Sequence, residues 1–258
     1  MDALIGYTGF VGTNILRQRP FDFLYNSQNI EDICGRSFEL IVCAAIPAAK
    51  WLANKDPEGD WQNIQRLIDN LVQVTTASFV LISTIDVYPL LLGVNETTDP
   101  TGQPNHPYGQ HRLAMESFVR ERFPRHHILR LPGLFGRGLK KNVIYDLLHD
   151  NCLDLINPDG RYQYYGLDNL WTDVAKAMSL GLSILNVSSE PISTREIIHR
   201  FFPGKVVGSQ AGPVAVYDFR SIYAQHWGGV DGYLYGREQV LTELGAFIAG
   251  VGEKGDIP

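Results

Sequence analysis

Gly6, Gly9 and Gly12 stand at three-residue spacing in "LIGYTGFVGTNIL", directly behind the first apolar run of the chain and at the onset of a helical pattern. A strand that turns straight into a helix needs one glycine for the tight turn. A second lets the backbone approach a phosphate, and a third lets the helix lie close against the strand. The helix start that follows favours an anion, because its first N–H groups lack partners and the helix dipole is positive there. The stretch therefore reads as a pyrophosphate cradle at the start of a βα unit.

The chain continues in the same alternation. Short apolar runs at 3–5, 21–25, 40–43, 79–83 and 128–131 read as strands, and 11–19, 61–74 and 108–123 carry apolar residues at helical spacing. This order implies an α/β fold, a doubly wound parallel (Rossmann) sheet with helices on both faces. Residues 1–135 are expected to form that dinucleotide-binding core. Beyond it the pattern loosens into a helix at 142–149, a strand-like run "YQYYGL" at 162–167, a helix at 171–180, a strand "ILNV" at 184–187 and a helix at 194–202. Residues 136–258 should then be mainly a smaller substrate lobe, with part of 160–190 returning to the sheet. The final "EKGDIP" reads as disordered.

Composition narrows the partners. Of 258 residues 45% are hydrophobic, enough for a sizeable core, and 22 basic against 28 acidic residues leave a net charge of -6. With no basic run longer than Lys140–Lys141, neither nucleic acid nor an anionic membrane is expected as a partner. No apolar run approaches the roughly 20 residues that span a bilayer. Glycines interrupt the apolar start and no basic residue precedes it, unlike a secretion signal. Cys34, Cys43 and Cys152 are too scattered for a disulfide framework or a metal site, and the histidines have no ligand spacing. A cytoplasmic protein without a metal is expected.

At the end of the second strand a carboxylate accepts from a ribose 2′-OH and repels a 2′-phosphate. Here Asn26 and Ser27 stand in that place, with Arg17 and Arg36 as the nearest candidates to meet a phosphate, which favours NADP over NAD.

Three ordered segments, "GYTGFVG" (6–12), "VLISTIDVY" (80–88) and "PYGQHRLAMESF" (107–118), together resemble the extended short-chain dehydrogenase/reductase family, particularly its sugar-nucleotide-modifying members. The resemblance continues in "LRLPGLFG" (129–136) and more weakly in "YDFRS" (217–221). It implies Thr84 as the hydroxyl partner, with Ser83 one residue early, and Tyr108 as the acid–base residue. Arg112 occupies the position of the family's lysine. Cofactor contacts are implied for Gly6, Gly9, Phe10, Val11, Gly12, Asn26, Ser27, Ala44, Ala45, Tyr108, Arg112 and Leu131. The family lysine lowers the tyrosine pKa. Bringing a phenol from about 10 to neutrality takes roughly 3 units, or about 4 kcal/mol. A fixed cation at about 4 Å supplies that at an effective dielectric near 20, so Arg112 is expected to suffice electrostatically. Its planar fork makes the geometry a separate matter.

Family members that dehydrate sugar nucleotides resemble "TDEVY" where this chain has "TIDVY". Ile85 cannot act as an acid, which disfavours dehydration, and Asp86 either tunes the substrate site or caps the turn. Asn142 opens a helix where relatives place a substrate contact, and Lys140, Lys141 and that helix start are candidates to receive a diphosphate. Arg220 is either another phosphate clamp or an ion-pair partner of Asp218. Gly133 replaces an asparagine common in relatives. Lys50 and Trp51 are expected in a loop facing the cleft, and His111 on a solvated helix face.

Three functions stay open: reduction of a keto group on a nucleotide-linked sugar, favoured because the chain is short for the family; epimerisation of a sugar nucleotide; and a non-catalytic dinucleotide sensor. A homodimer is compatible with all three, since helices 61–74 and 108–123 are those that pair subunits in the family.

Overall fold

A computed structural model describes residues 1–253. In chain order the elements are β1 (Asp2–Ile5), α1 (Phe10–Gln18), β2 (Phe23–Tyr25), β3 (Ser37–Cys43), α2 (Lys50–Lys55), α3 (Pro57–Leu71), β4 (Thr75–Thr84), α4 (Pro107–Arg122) and β5 (His126–Leu131). They continue as β6 (Gly133–Phe135), α5 (Val143–His149), β7 (Arg161–Tyr162), β8 (Tyr164–Gly166), α6 (Leu170–Ser179), β9 (Ile184–Asn186), β10 (Ile192–Ser193), α7 (Thr194–Phe201) and α8 (Arg237–Glu253). Two compact units result, one from Met1–Leu90, Glu96–Leu131 and Asp168–Asn186, the other from Leu91–Asn95, Pro132–Leu167 and the chain from Val187 onward.

The first unit holds a six-stranded sheet in the order β2-β1-β3-β4-β5-β9, parallel throughout. β3 and β5 are buried over most of their length, as strands covered by helices on both faces are, although β5 carries His127 and Arg130 into that interior. Ile5, Ile41, Phe79 and Leu81 pack with Ile64 and Leu71 of α3 and Met115 and Val119 of α4, and each such side chain stabilises the fold by about 1.5–3 kcal/mol. Between β2 and β3 the link is a single 3-10 turn, Ile30–Ile33, rather than a helix. The strand order reverses between β1 and β3. Crevices that hold ligands open at such a reversal, beyond the carboxyl ends of the strands. Register sets those ends level: Ile5 pairs with Cys43, Cys43 with Leu81, and Thr84 with Leu131.

Helix starts follow local chemistry. Pro57 and Pro107 occupy the first turns of α3 and α4, with Asp56 accepting from Gly59 N and His106 Nδ1 accepting from Gly109 N.

The second unit corrects the sequence reading in two places. "YQYYGL" is not one strand: Gln163 divides it into β7, antiparallel to β10, and β8, parallel to β6. The Gln163 amide is buried, donates to the Ser189 and Phe219 carbonyls and accepts from Phe219 N, which turns this residue out of either ladder. The long α8 was not expected, although Val240, Leu241 and Leu244 are buried at helical spacing; Gly245, Gly250 and Gly252 mask the pattern. No described helix is long and apolar enough to cross a membrane. Of the "EKGDIP" expected to be disordered, Glu253 ends α8 and 254–258 lie outside the described residues.

Candidate active site

The glycine loop sits at the β1/β3 reversal. Gly6 has φ +88, and a Cβ there would lie 2.5 Å from the Ala44 carbonyl oxygen; a Cβ on Gly12 would drive into the Gly6 carbonyl. These two glycines are fixed by packing. Gly9 is exposed, and its Cβ would meet only Gly6 O, at 3.3 Å. It caps α1, whose first turn carries no acidic residue, so no carboxylate of that turn opposes an anion at the N–H groups of Phe10, Val11 and Gly12. A cradle lined by glycine and opened by a helix start fits the pyrophosphate of a dinucleotide. Ala44 and Ala45 continue from β3 beside it, and Leu131 ends β5 level with Thr84.

Asn26 is held by its own turn: its carbonyl oxygen Oδ1 accepts from Gln28 N at 2.8 Å and its amide donates to Tyr7 Oη at 3.3 Å, while Ser27 is exposed. Arg36 lies over the Phe23 ring at 5.1 Å, and Arg17 is exposed.

Thr84 and Ser83 alternate to opposite faces of β4, as a strand requires. Ser83 turns inward and donates to Glu116 at 2.6 Å. Thr84, on the other face, stands near the Tyr108 hydroxyl and lowers its pKa. The sequence did not reveal the network around Ser83. Arg130, buried on β5, grips Glu116 with Nε and Nη2 and donates through Nη1 to Tyr88 Oη at 2.6 Å, which ties α4 to β4 and β5.

Tyr108 opens α4 and is 6% exposed. Its backbone N–H donates to Asn54 Oδ1 on α2 at 3.0 Å. Arg112, one turn on and 2% exposed, places its guanidinium carbon 3.9 Å from the Tyr108 ring centroid. Its charge is committed elsewhere. The guanidinium pairs with both oxygens of Asp60 on α3, Nη2 to Oδ1 at 2.9 Å and Nη1 to Oδ2, and also donates to the Pro47 carbonyl. Arg112 Nε is the one nitrogen of the group with no hydrogen-bond partner among the described residues.

This corrects the electrostatic expectation. Burial pushes the Tyr108 phenol up to about 12; Arg112 lowers it, but Asp86 and Asp60 raise it again. Arg112, paired with a bidentate carboxylate, does not outweigh burial. Burial also opposes ionisation of Asp60, yet its hydrogen bonds from Arg112 and His111 prevail and hold its carboxyl below the usual value. His111 is likewise not a solvated residue: it is 17% exposed, 2.7 Å from Asp60 and packed against Trp61. Nothing local in the sequence marks Asp60, which sits in an ordinary amphipathic pattern 52 residues from Arg112.

Lys50 and Trp51 begin a short helix, α2, rather than lying in a loop. Trp51 is 67% exposed. Lys50 Nζ donates to Asp86 Oδ1 at 2.7 Å, and the other oxygen of Asp86 lies 3.4 Å from Thr84 Oγ1.

In the second unit the substrate-side candidates have structural tasks. Asn142 Oδ1 caps α5 by accepting from Ile144 N and Tyr145 N, and its amide donates to the Leu134 carbonyl. Lys140 and Lys141 are exposed. Arg220 pairs with Asp218 at 3.4 Å, donates to the Asp231 carbonyl and lies over Tyr233. At Gly133 a Cβ would press on the Gln163 carbonyl at 3.1 Å, so a side chain there needs its neighbours to shift. Among the described residues no cluster of side chains is arranged to hold a metal.

Residues 23–150 match the model of the NAD dependent epimerase/dehydratase family; the glycine loop precedes that segment. No curated protein matches the sequence. Solved structures share the fold over nearly the whole chain. A UDP-glucose 4-epimerase of Thermotoga maritima with UDP-glucose is 15% identical, with a TM-score of 0.73 over 99% of this chain and 100% of that one. A dTDP-glucose 4,6-dehydratase double mutant of Streptomyces venezuelae with NAD bound gives 14%, 0.76, 98% and 97%. A dTDP-4-dehydrorhamnose reductase of Bacillus anthracis in complex with NADP gives 16%, 0.71, 96% and 97%.

Proposed function

Because the chain belongs, through residues 23–150, to the NAD dependent epimerase/dehydratase family, we propose that it is an NAD(P)-dependent oxidoreductase that reduces a keto group of a nucleotide-linked sugar. The observation that carries the direction of reaction is the state of Tyr108. Burial, helped by Asp86 and Asp60, keeps its phenol protonated at neutral pH against the opposing pull of Arg112, whose charge Asp60 already pairs, and Thr84 stands near its oxygen. A protonated phenol donates. It suits reduction, where a carbonyl oxygen gains a proton, better than epimerisation, whose first step removes a proton from an alcohol. Ile85 leaves dehydration without its acid.

The dinucleotide would lie on Gly6, Gly9, Phe10, Val11 and Gly12, with Ala44, Ala45 and Leu131 along the crevice and Asn26 and Ser27 at the adenosine ribose. Neither of the last two repels a 2′-phosphate, which favours NADP over NAD. When bound, the cofactor supplies a hydride. Tyr108 delivers the proton to the substrate oxygen, and Thr84 steadies that oxygen by hydrogen bonding. The neighbours that carry UDP-glucose and act on dTDP sugars support a nucleotide-linked sugar as substrate.

Incubation of a 4-keto sugar nucleotide with reduced cofactor deuterated at nicotinamide C4 tests this reading. A reductase consumes the cofactor stoichiometrically and leaves one deuterium on the product carbinol carbon. Net cofactor unchanged with inverted sugar would mark an epimerase, and binding without transfer would mark a sensor. A dehydrated sugar as product would overturn the assignment of the site.

A further inference from the structure

Arg112 is already paired with Asp60, and a second cation stands close by. The charged groups facing this corner come from four elements: Lys50 on α2, Asp60 on α3, Asp86 after β4, and Arg112 on α4, with His106 and His111 as the titratable imidazoles of α4. They resolve into two pairs, Arg112 with Asp60 and Lys50 with Asp86. The second pair reaches the reaction's hydroxyls, since Asp86 Oδ2 lies 3.4 Å from Thr84 Oγ1, and Thr84 in turn acts on the Tyr108 phenol. Lys50 is anchored for this by its helix. One turn on, Asn54 accepts from the Tyr108 N–H, so residues 50 and 54 on one face of α2 grip both the turn after β4 and the start of α4.

We propose that Lys50 is a positioning residue of the reduction, which by its ion pair with Asp86 keeps that carboxylate turned to α2 and its charge cancelled beside the Thr84–Tyr108 pair. The proposal rests on the functional reading above. Its consequence is electrostatic. With Lys50 present the four charges sum to zero; without it, one uncompensated carboxylate 16% exposed faces the acid that must release a proton. Asp86 already opposes ionisation of Tyr108. The 39% exposure of the Lys50 side chain makes it replaceable without emptying the core.

The test compares Lys50→Met, Lys50→Arg and the double variant Lys50→Met/Asp86→Asn with the wild type. Lys50→Met should lower kcat about tenfold with KM changed less than about twofold; Lys50→Arg should keep most of the activity, and the double variant should regain most of the loss. His106 supplies a readout independent of turnover, because burial lowers its pKa, Lys50 lowers it further and Asp86 raises it. In ligand-free protein its imidazole NMR titration should move up in Lys50→Met. Equal kcat in wild type and Lys50→Met, or an unmoved His106, overturns the proposal while leaving the reductase reading intact. A wild type without turnover on any keto-sugar nucleotide overturns that reading, and with it this one. Should Lys50→Met not fold, Lys50→Gln replaces it in the same comparison.

Discussion

Asp60 holds Arg112 by both carboxylate oxygens, joining α3 to α4 directly behind the Tyr108 ring. The arginine that stands where relatives of this sequence carry lysine is thus first a structural partner. Its remaining access to the site runs through the Tyr108 ring face and through Nε.

Breaking this pair from one side should be severe. Arg112→Met leaves a carboxylate buried with only His111 beside it and should destabilise the protein by about 3–5 kcal/mol, read from urea unfolding. Arg112→Met/Asp60→Leu should recover most of that loss. Arg112→Lys keeps the charge but not the fork, and should fall between.

Acid should dissolve the same contact. Asp60 titrates below its ordinary value of 3.8, so the pair's contribution is complete above that value and fades as pH falls through the lowered one. The stability gap between wild type and Asp60→Asn should therefore be wide at about pH 7 and narrow by about pH 3 in urea unfolding.

The glycines should separate by task. Gly9→Val places a branch in the open cradle and should weaken NADP or NAD binding by about tenfold or more with melting unchanged. Gly6→Val and Gly12→Val collide with backbone at Ala44 and Gly6, and should lower the melting temperature itself.

Tyr108 should behave as an acid held in its protonated form. With its phenol at about 12, reduction should show no loss from Tyr108 across the neutral range, because the form that donates persists until pH nears that value. Tyr108→Phe should remove most of kcat while cofactor affinity, measured by calorimetry, stays within about twofold.

Strand and helix placement was legible because periodicity is local. The runs at 40–43 and 128–131 lie within β3 and β5, and the glycine spacing gave the loop after β1. What escaped were contacts made across distance. Asp60 looks like any polar residue of an amphipathic helix until α4 brings Arg112 to it, and the Lys50–Asp86 pair joins positions 36 apart. Arg112 was read as a free charge beside Tyr108; the counter-charge that pairs with it lay on another helix. Gln163 looked like one more strand position because nothing in its neighbourhood announces the carbonyls of Ser189 and Phe219.

The sheet order also governs how the chain can be made. β9 covers the edge of β5, yet 52 residues separate the two strands, and the first of them, Pro132–Leu167, belong to the other unit. A nascent chain that has emerged only to β8 therefore presents the apolar edge of β5 unpaired, in the state in which exposed strands recruit neighbours. Truncation before Ile184 should give an aggregating product, whereas release after Asn186 allows the sheet to be closed.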